Sequence, residues 1–220
     1  MNVQEATTRR LPDLKERHLP ENCRETINTI LKETYGYEQF RNLEIYDDLS
    51  KGKEKLCISQ GQLIENVILE AEKAWKGETQ VDNILLTAPT GSGKSLLFQL
   101  PAIYLGKEYN LLTIVVSPLK ALIVDQVESL QELGYMRVAY ASSDLSPEQK
   151  MEVYRQVREG EIDLFYLSPE LLLSYDIKHF VGERRIGLVV VDEAHTVTTW
   201  GKEFRVDYRF LGRYLTALKQ

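Results

Sequence analysis

Apolar and polar residues are grouped along this chain in blocks that predict strands and helices in turn. Short apolar runs bounded by turn residues predict buried strands, and longer stretches with apolar residues three or four positions apart predict helices. The predicted order is strand 83–88, helix 94–105, strand 111–117, helix 119–133, strand 137–141, helix 147–158, strand 162–167, helix 169–181, strand 186–191 and a last helix from about Asp207. This alternation predicts an α/β fold, with a parallel sheet and helices on both faces.

The first 58 residues follow a different pattern. They are charged and helix-forming, with a turn predicted at Gly52 between two lysines. We therefore predict a helical N-terminal extension, residues 1–58, followed by one α/β domain, residues 59–220. Ser59 is the predicted N-cap of a helix with one apolar face, formed by Leu63, Ile64, Val67 and Ile68.

A glycine-rich segment, residues 88–95 (APTGSGKS), follows the predicted strand 83–88 and precedes a predicted helix. Glycines let successive backbone N–H groups converge on a polyphosphate, and the helix N-terminus adds its positive dipole end. In such a loop the lysine reaches the β- and γ-phosphates, and the next hydroxyl ligates Mg²⁺. Ala88 replaces the usual first glycine, and a chance glycine-rich turn is the alternative. The predicted nucleotide ligands are Thr90, Gly91, Ser92, Gly93, Lys94 and Ser95, with Ser95 also on the metal.

A second candidate element is the apolar run 188–191, which predicts a buried parallel strand and ends in Asp192 and Glu193. Ligands of open parallel sheets bind at the carboxyl ends of strands. We expect Asp192 to hold Mg²⁺ and Glu193 to orient or deprotonate the attacking water. A solvated turn is the plain alternative for two acids, and their combination with Lys94 favours the functional interpretation.

Together these segments resemble the first motor lobe of a superfamily-two helicase, and more closely the RecQ family. The resemblance spans about residues 60–215. It rests on residues 88–102, 115–127 (VVSPLKALIVDQV), the DEAH box 192–195, and 200–205 (WGKEFR) with Tyr208. It implies a RecA-like ATP-binding lobe, ATP and Mg²⁺ as cofactors, and ATP-dependent unwinding of DNA. It also implies that His195 links the nucleotide to a second lobe.

Two strand-to-helix turns resemble the family's contacts to a nucleic-acid backbone. The residues concerned are Ser117, Pro118, Leu119 and Lys120 in the first turn, and Ser168, Pro169 and Glu170 in the second. Without the resemblance, such turns are as well explained by structure alone, and Glu170 by the favourable helix dipole.

An aromatic segment follows the DEAH box, with Trp200, Phe204 and Tyr208 four residues apart among basic residues. This composition suits stacking on unpaired bases, and packing of the rings into the core is the alternative. The resemblance implies that Trp200 and Phe204 sense single-stranded nucleic acid and that Arg205 relays this to Glu193. Two positions depart from the family's usual glutamine and histidine, Thr199 and Lys202.

Residues 37–41 (YEQFR) resemble the aromatic–arginine pair that reads adenine in the family, with Phe40 and Arg41 as the candidates. Gln60 is the candidate for the adenine-reading glutamine, and Gln62 is the second choice. The family has this glutamine a few residues after the arginine, whereas residues 42–59 intervene here. Either this insertion loops out, or Phe40 and Arg41 have lost that role and belong to an extension packed on the domain.

Composition limits the classes of function. At 220 residues and 43% hydrophobic content the chain can bury a core, and its net charge of −6 argues against a polybasic nucleic-acid-binding surface. Nucleic-acid binding must then come from local patches such as residues 202–209. Cys23 and Cys57 give no zinc-site or disulfide pattern, and we find no signal peptide or membrane-spanning run. We expect no zinc, no membrane association and a cytoplasmic protein.

No second α/β pattern follows Tyr214. We expect a first lobe whose second lobe lies in cis or on another polypeptide, so that the chain alone binds ATP and hydrolyses it poorly. Two alternatives stay open. One is a non-translocating ATP-binding subunit or regulator of DNA repair or defence, and the other is an RNA-directed superfamily-two ATPase.

Overall fold

The structure is a computed structural model, and it describes residues 20–46, 55–86 and 91–193. Its helices are α1 (Glu25–Tyr35), α2 (Gln60–Trp75), α3 (Leu96–Tyr109), α4 (Lys120–Glu132), α5 (Pro147–Arg158), α6 (Pro169–Ser174) and α7 (Ile177–Val181). Its strands are β1 (Asn42–Tyr46), β2 (Lys55–Ser59), β3 (Leu112–Val116), β4 (Val138–Ala141), β5 (Leu164–Leu167) and β6 (Ile186–Val191).

The main sheet consists of four parallel strands in the order β4–β5–β3–β6. At its carboxyl end, Val116 of β3 lies level with Leu167 of β5 and Val191 of β6. Parallel neighbours require a crossover between them, and the intervening helices supply it. The predicted parallel sheet is therefore confirmed, with β3, β4, β5 and β6 within a residue or two of their predicted bounds.

Helices cover both faces of this sheet, because successive strand residues point to opposite sides. Val115 and Tyr166 belong to a core shared with α2, α3 and α4. Their neighbours Ile114 and Phe165 belong to a second core shared with α5, α6 and α7. The predicted α/β layout with helices on both faces is confirmed.

The described part of the N-terminal extension packs into the first of these cores. Ile27, Ile30 and Leu31 of α1 are buried in the same cluster as residues of α2 and α3. Just before α1, the Arg24 guanidinium lies 2.6 Å from the carboxylates of both Glu65 and Glu72 on α2. Hydrophobic contacts and ion pairs thus fasten α1 to the domain, and the boundary at residue 58 stays a prediction.

The rest of the extension is not helical where it is described. β1 and β2 form an antiparallel pair in which Asn42 lies opposite Ser59. The sequence NLEIY of β1 alternates polar and apolar residues, which is the period of a strand, and the prediction of helix overlooked it.

Two other predicted elements differ in the structure. The predicted helix 169–181 is divided into α6 and α7, because Tyr175 is extended and Asp176 caps α7 by accepting a hydrogen bond from the Lys178 N–H at 2.8 Å. Of the predicted strand 83–88, residues 83–86 are described and lie in no strand. Ile84 and Leu85 are exposed there, since an apolar run does not by itself fix a pairing partner.

An ion-pair cluster lies at the opposite, amino end of the sheet. Asp163, fully buried just before β5, accepts hydrogen bonds from Arg137 at 2.6 Å and Arg184 at 2.9 Å. α3 crosses this carboxylate at Gly106, where a Cβ atom would lie 2.3 Å from the Asp163 Cγ. The packing of α3 on the sheet therefore depends on a glycine at this point.

Candidate nucleotide and nucleic-acid site

The candidate residues lie at the carboxyl edge of the parallel sheet. Residues 117–120 follow β3, residues 168–170 follow β5, and residues 192–193 follow β6. Backbone hydrogen bonds hold these ends level, because the Asp192 N–H donates to the Val116 carbonyl at 2.9 Å and the Ser117 N–H to the Leu167 carbonyl at 3.1 Å. The sheet thus brings the two turns predicted to contact nucleic acid and the acidic pair after β6 to one edge.

The glycines before α3 have the backbone conformation that a phosphate-binding loop needs. Gly91 and Gly93 have φ angles of 79° and 78°, in the left-handed region that side chains disfavour. A Cβ atom at Gly93 would also lie 2.7 Å from the Gln60 Nε2 atom, whereas Gly91 faces open space. Gly93 is therefore required for both its conformation and its surroundings. Thr90 lies outside the described residues.

The amino end of α3 leaves polar groups available for a ligand. Ser95 stands at the N-cap position, yet its side chain makes no capping hydrogen bond. The Leu96, Leu97 and Phe98 N–H groups donate to the preceding loop and N-cap carbonyls at 3.0 to 3.2 Å, and this end of the helix carries the positive end of its dipole. Within the described residues, the Ser92 hydroxyl is buried without a hydrogen-bond partner. These donors fit an anion such as a polyphosphate.

Lys94 and Asp192 act on each other across this edge. Burial is the largest effect on the Asp192 carboxyl and raises its pKa above the ordinary value. The Glu193 N–H, which donates to it at 2.9 Å, and the charge of Lys94 oppose that rise in pKa, whereas the charge of the Glu193 carboxylate adds to it. A desolvated carboxylate beside a lysine is a suitable ligand for a bound cation.

Glu193 has an unusual backbone conformation for a side-chain-bearing residue, with a φ angle of 51°. Left-handed residues other than glycine cost about 1 kcal/mol and concentrate at functional sites. This turn immediately after β6 places Glu193 beside Asp192 at the carboxyl edge. His195 lies outside the described residues.

The insertion between Arg41 and Gln60 loops out as the β1–β2 pair. The Gln60 N–H donates to the Arg41 carbonyl at 2.9 Å, and the Arg41 N–H donates to Gln60 Oε1 at 3.2 Å. Gln60, only 2% exposed, also donates from Nε2 to the Ser92 carbonyl at 3.1 Å. The antiparallel pair thereby places Arg41 next to Gln60, and Gln60 connects this segment to Ser92.

The aromatic residues of this segment have different surroundings. The Phe40 ring packs against Gly61, where a Cβ atom would lie 2.7 Å from it. Tyr37 is 50% exposed and stacks on Tyr35, with ring centroids 6.4 Å apart. Tyr37, in the turn after Gly36, is not among the predicted contacts. Arg41 is exposed.

The two turns predicted to contact nucleic acid combine buried and exposed groups. Ser117 and Ser168 are buried, and the Ser168 hydroxyl caps α6 by accepting from the Leu171 N–H at 3.3 Å. Lys120 and Glu170 are exposed. The Lys120 ammonium lies 2.9 Å from the Asp144 carboxylate, so a phosphate must compete with that ion pair. The remaining candidates lie outside the described residues: Trp200, Phe204 and Arg205.

The described residues contain neither a membrane-spanning helix nor a metal-binding cluster of side chains. No helix in the described ranges has the length and apolar character needed to cross a bilayer. No cluster of three or more His, Cys, Asp or Glu side chains suited to a metal occurs there. Cys23 and Cys57 are free thiols.

Comparison with known proteins identifies the family. The model of the DEAD/DEAH box helicase family matches residues 62–220. The chain belongs to the DEAD/DEAH box helicases.

Within this family the chain is RecQ-like. It is 30% identical to the ATP-dependent DNA helicase RecQ of Haemophilus influenzae, over 85% of this chain and 25% of that protein. The chain is 34% identical to the RecQ protein of Synechocystis, over 86% of this chain and 33% of that protein. It is 33% identical to the RecQ protein of Bacillus subtilis, over 82% of this chain and 25% of that protein. The chain thus spans a quarter to a third of the length of these relatives, and it corresponds to the first lobe of such a helicase.

Proposed function

We propose that this DEAD/DEAH box lobe binds Mg²⁺–ATP between the amino end of α3 and the carboxyl end of β6, as the ATP-binding first lobe of a RecQ-like DNA helicase. The observation that carries this proposal is that the partly buried Asp192 carboxylate, directly after β6, lies near enough to Lys94 for the lysine charge to lower its pKa. Two residues of opposite charge, 98 positions apart in sequence, thus act on each other at this edge, as one metal–nucleotide complex requires.

Each residue of the edge has a role in this proposal. Residues 90–93 donate backbone N–H groups to the phosphates, the positive end of the α3 dipole faces them, and Lys94 neutralises the β- and γ-phosphates. Ser95 and Asp192 hold the Mg²⁺ ion, which when bound neutralises charge on the transferred phosphoryl group. Glu193 orients the attacking water and accepts its proton.

For the adenine base we propose Gln60, Arg41 and an aromatic ring. Gln60 is preferred to Gln62, because its amide joins the Arg41 N–H to the Ser92 carbonyl of the phosphate loop, whereas Gln62 caps α2 by accepting from the Ser59 N–H at 3.0 Å. Phe40 packs against Gly61 and thereby supports residues 37–41, and the exposed Tyr37 is the ring that can stack on a base.

For nucleic acid we propose contacts at the β3 and β5 turns, with Lys120 as the phosphate-binding cation. Trp200, Phe204 and Arg205 are proposed to report an unpaired strand to Glu193, as the family resemblance implies. The RecQ-like relatives favour DNA as the partner. Anisotropy titrations with matched DNA and RNA single strands test this choice, and tighter binding of RNA would favour an RNA-directed ATPase instead.

A second RecA-like lobe, in cis or in trans, is proposed to complete the ATPase. In such motors arginines from the second lobe stabilise the transition state, and His195 is proposed to link the nucleotide to that lobe. The free thiols of Cys23 and Cys57 agree with the cytoplasmic location that we propose.

The direct test is an equilibrium titration with a fluorescent ATP analogue in the presence of Mg²⁺. Lys94→Ala is expected to weaken binding by at least about tenfold, since it removes a charge-assisted contact to the phosphates. Lys107→Ala, an exposed lysine later in α3, is the matched control and is expected to bind as the wild type does. Equal affinity of Lys94→Ala and the control variant would refute the proposed site.

A further inference from the structure

An ion pair joins the turn after β3 to the turn after β4, residues 142–146, which we refer to as the β4 turn. The Lys120 ammonium donates to Asp144 Oδ1 at 2.9 Å and also to the Ser143 hydroxyl. Because β5 lies between β3 and β4 in the sheet, this pair links the turns on either side of β5. The β4 turn therefore belongs to the same edge as the two turns proposed to bind nucleic acid.

The Asp144 carboxylate occupies a small anion site formed by its neighbours. It accepts from the Lys120 ammonium at 2.9 Å and from the Ser143 hydroxyl at 3.2 Å. Lys120 is also the first residue of α4, so the positive end of that helix dipole lies beside the carboxylate. An ammonium, a hydroxyl and a helix amino end are groups with which proteins bind phosphate.

The carboxylate can leave this site without disturbing the fold. The side chains of Lys120 and Asp144 are 45% and 69% exposed, and exposed ion pairs contribute little to stability. The shape of the β4 turn depends on other bonds, because the Asp144 N–H donates to the Ser142 hydroxyl at 3.3 Å and the Leu145 N–H to the Ser142 carbonyl at 3.4 Å. Release of the Asp144 carboxylate therefore leaves the turn in place.

A phosphate and the Asp144 carboxylate exclude each other from the site. The hydrogen bond from Lys120 is the main cause that holds the pKa of Asp144 below its ordinary value, so this carboxyl is ionised at neutral pH. A phosphate on Lys120 would lie well inside the Debye length of about 8 Å from a carboxylate left in place, so salt would not screen their repulsion. An incoming phosphate must therefore displace the carboxylate.

We propose that Lys120 and Ser143 form a binding site for one backbone phosphate of single-stranded DNA, and that the Asp144 carboxylate occupies this site in the free protein. The inference rests on the proposed function, in which Lys120 is a phosphate-binding cation, and it extends the interface to the β4 turn. Asp144 lowers the affinity for the strand, because its displacement opposes binding. Ser143, released from the carboxylate, donates its hydroxyl hydrogen to the phosphate.

Fluorescence anisotropy of a labelled oligothymidine strand tests this site in the 220-residue chain without nucleotide. Asp144→Asn keeps the size of the side chain and removes its charge. It is expected to tighten binding by about two- to fivefold, which is the range that exposed ion pairs are worth. Lys120, Ser143 and Asp144 are all exposed, so substitutions there leave the core intact, and thermal unfolding of each variant checks this.

Glu148→Gln is the matched control for the change of charge. Its exposed carboxylate lies on α5, directly after the β4 turn, and accepts from the Ser146 hydroxyl at 2.7 Å. Glu148→Gln is expected to change the affinity by less than about 1.5-fold, because an exposed charge outside the site is screened by salt.

The gain in Asp144→Asn must depend on the residues that form the site. Lys120→Ala is expected to weaken binding, and adding Asp144→Asn to it is expected to change the affinity by less than about 1.5-fold, since no ammonium is left to release. Adding Ser143→Ala to Asp144→Asn is expected to weaken binding by about threefold relative to Asp144→Asn alone, the worth of one hydrogen bond.

The outcomes separate this inference from the proposed function. Unchanged or weaker binding by Asp144→Asn, or an equal gain in Glu148→Gln or in the Lys120→Ala background, would overturn the phosphate site. A double variant with Ser143→Ala that binds as tightly as Asp144→Asn would overturn the role of Ser143. If Lys120→Ala weakens binding and Asp144→Asn does not strengthen it, the inference fails and the proposed contact at Lys120 stands. If Lys120→Ala leaves the affinity unchanged in both backgrounds, the proposed contact itself fails.

Discussion

Gly93 is the residue at which the phosphate loop is most tightly specified. Its φ of 78° disfavours any side chain, and a Cβ atom would meet the Gln60 amide at 2.7 Å. Gly93→Ala is therefore expected to weaken binding of a fluorescent ATP analogue by at least about tenfold, from backbone strain of about 1 kcal/mol together with displacement of Gln60. Gly91→Ala has the same strained φ but faces open space, so it is the matched control and is expected to lose less. Equal losses in both variants would mean that the Gln60 contact is unimportant.

Individual site residues can be predicted from the sequence where the type of side chain and its position next to a predicted element indicate the same role. Lys94, Ser95 and Asp192 could be proposed because Lys94 and Ser95 directly precede a recognisable helix and Asp192 directly follows a recognisable strand, and the structure contains both elements as α3 and β6. The exposure of the rings in residues 37–41 could not be predicted in this way. Whether Phe40 or Tyr37 is exposed depends on packing against Gly61 of α2, which is distant in sequence.

At the scale of elements, the position of α3 depends on Gly106. An added methyl group would overlap the Asp163 carboxylate, which already accepts from two arginines in a buried site. Gly106→Ala is expected to lower the free energy of unfolding by about 3 kcal/mol, through overpacking and distortion of those ion pairs. Urea unfolding measures this, with Lys107→Ala on the exposed side of α3 as the control. A Gly106→Ala variant as stable as that control would contradict the close packing described here.

The attachment of α1 gives a pH-dependent prediction. Burial raises the pKa of Glu72, but hydrogen bonds from Arg24 and Tyr109 outweigh it, so the folded-state pKa lies below the ordinary 4.5. A lowered pKa contributes stability that is present above about pH 4.5 and is lost as the pH falls through the folded-state value. Arg24→Met is expected to cost about 3 kcal/mol at pH 7, since it leaves buried carboxylates unpaired. The difference from wild type in urea unfolding should shrink below pH 4.5, and a difference independent of pH would contradict this.

Helices and strands were predicted best where the local sequence and the packing in the fold favour the same structure. α5 is an example, because Ser146 and Gln149 form a capping box and Pro147 is its first residue. β1 and β2 were missed because an antiparallel pair is stabilised by a partner 17 positions away, from Asn42 to Ser59. The break between α6 and α7 was missed because Asp176 can equally well continue a helix or cap a new one.

At the scale of the whole molecule, one lobe supplies only part of a motor. The arginines that stabilise the transition state are proposed to come from a second lobe, and such residues are worth about 10³- to 10⁵-fold in turnover. The 220-residue chain is therefore expected to bind ATP yet to hydrolyse it slowly, with or without single-stranded DNA, in a phosphate-release assay. Rapid DNA-stimulated hydrolysis that Lys94→Ala abolishes would mean that this lobe is sufficient.

The central claim is that Lys94, Ser95 and Asp192 share one Mg²⁺–nucleotide complex, and a crystal structure of the chain with Mg²⁺ and a non-hydrolysable ATP analogue tests it most directly. We expect the Lys94 ammonium on the β- and γ-phosphates. We expect Mg²⁺ about 2.1 Å from the Ser95 hydroxyl, with the Asp192 carboxylate in or next to its coordination sphere. A nucleotide bound elsewhere, or an Asp192 too distant from the metal to reach it even through a water molecule, would contradict the claim.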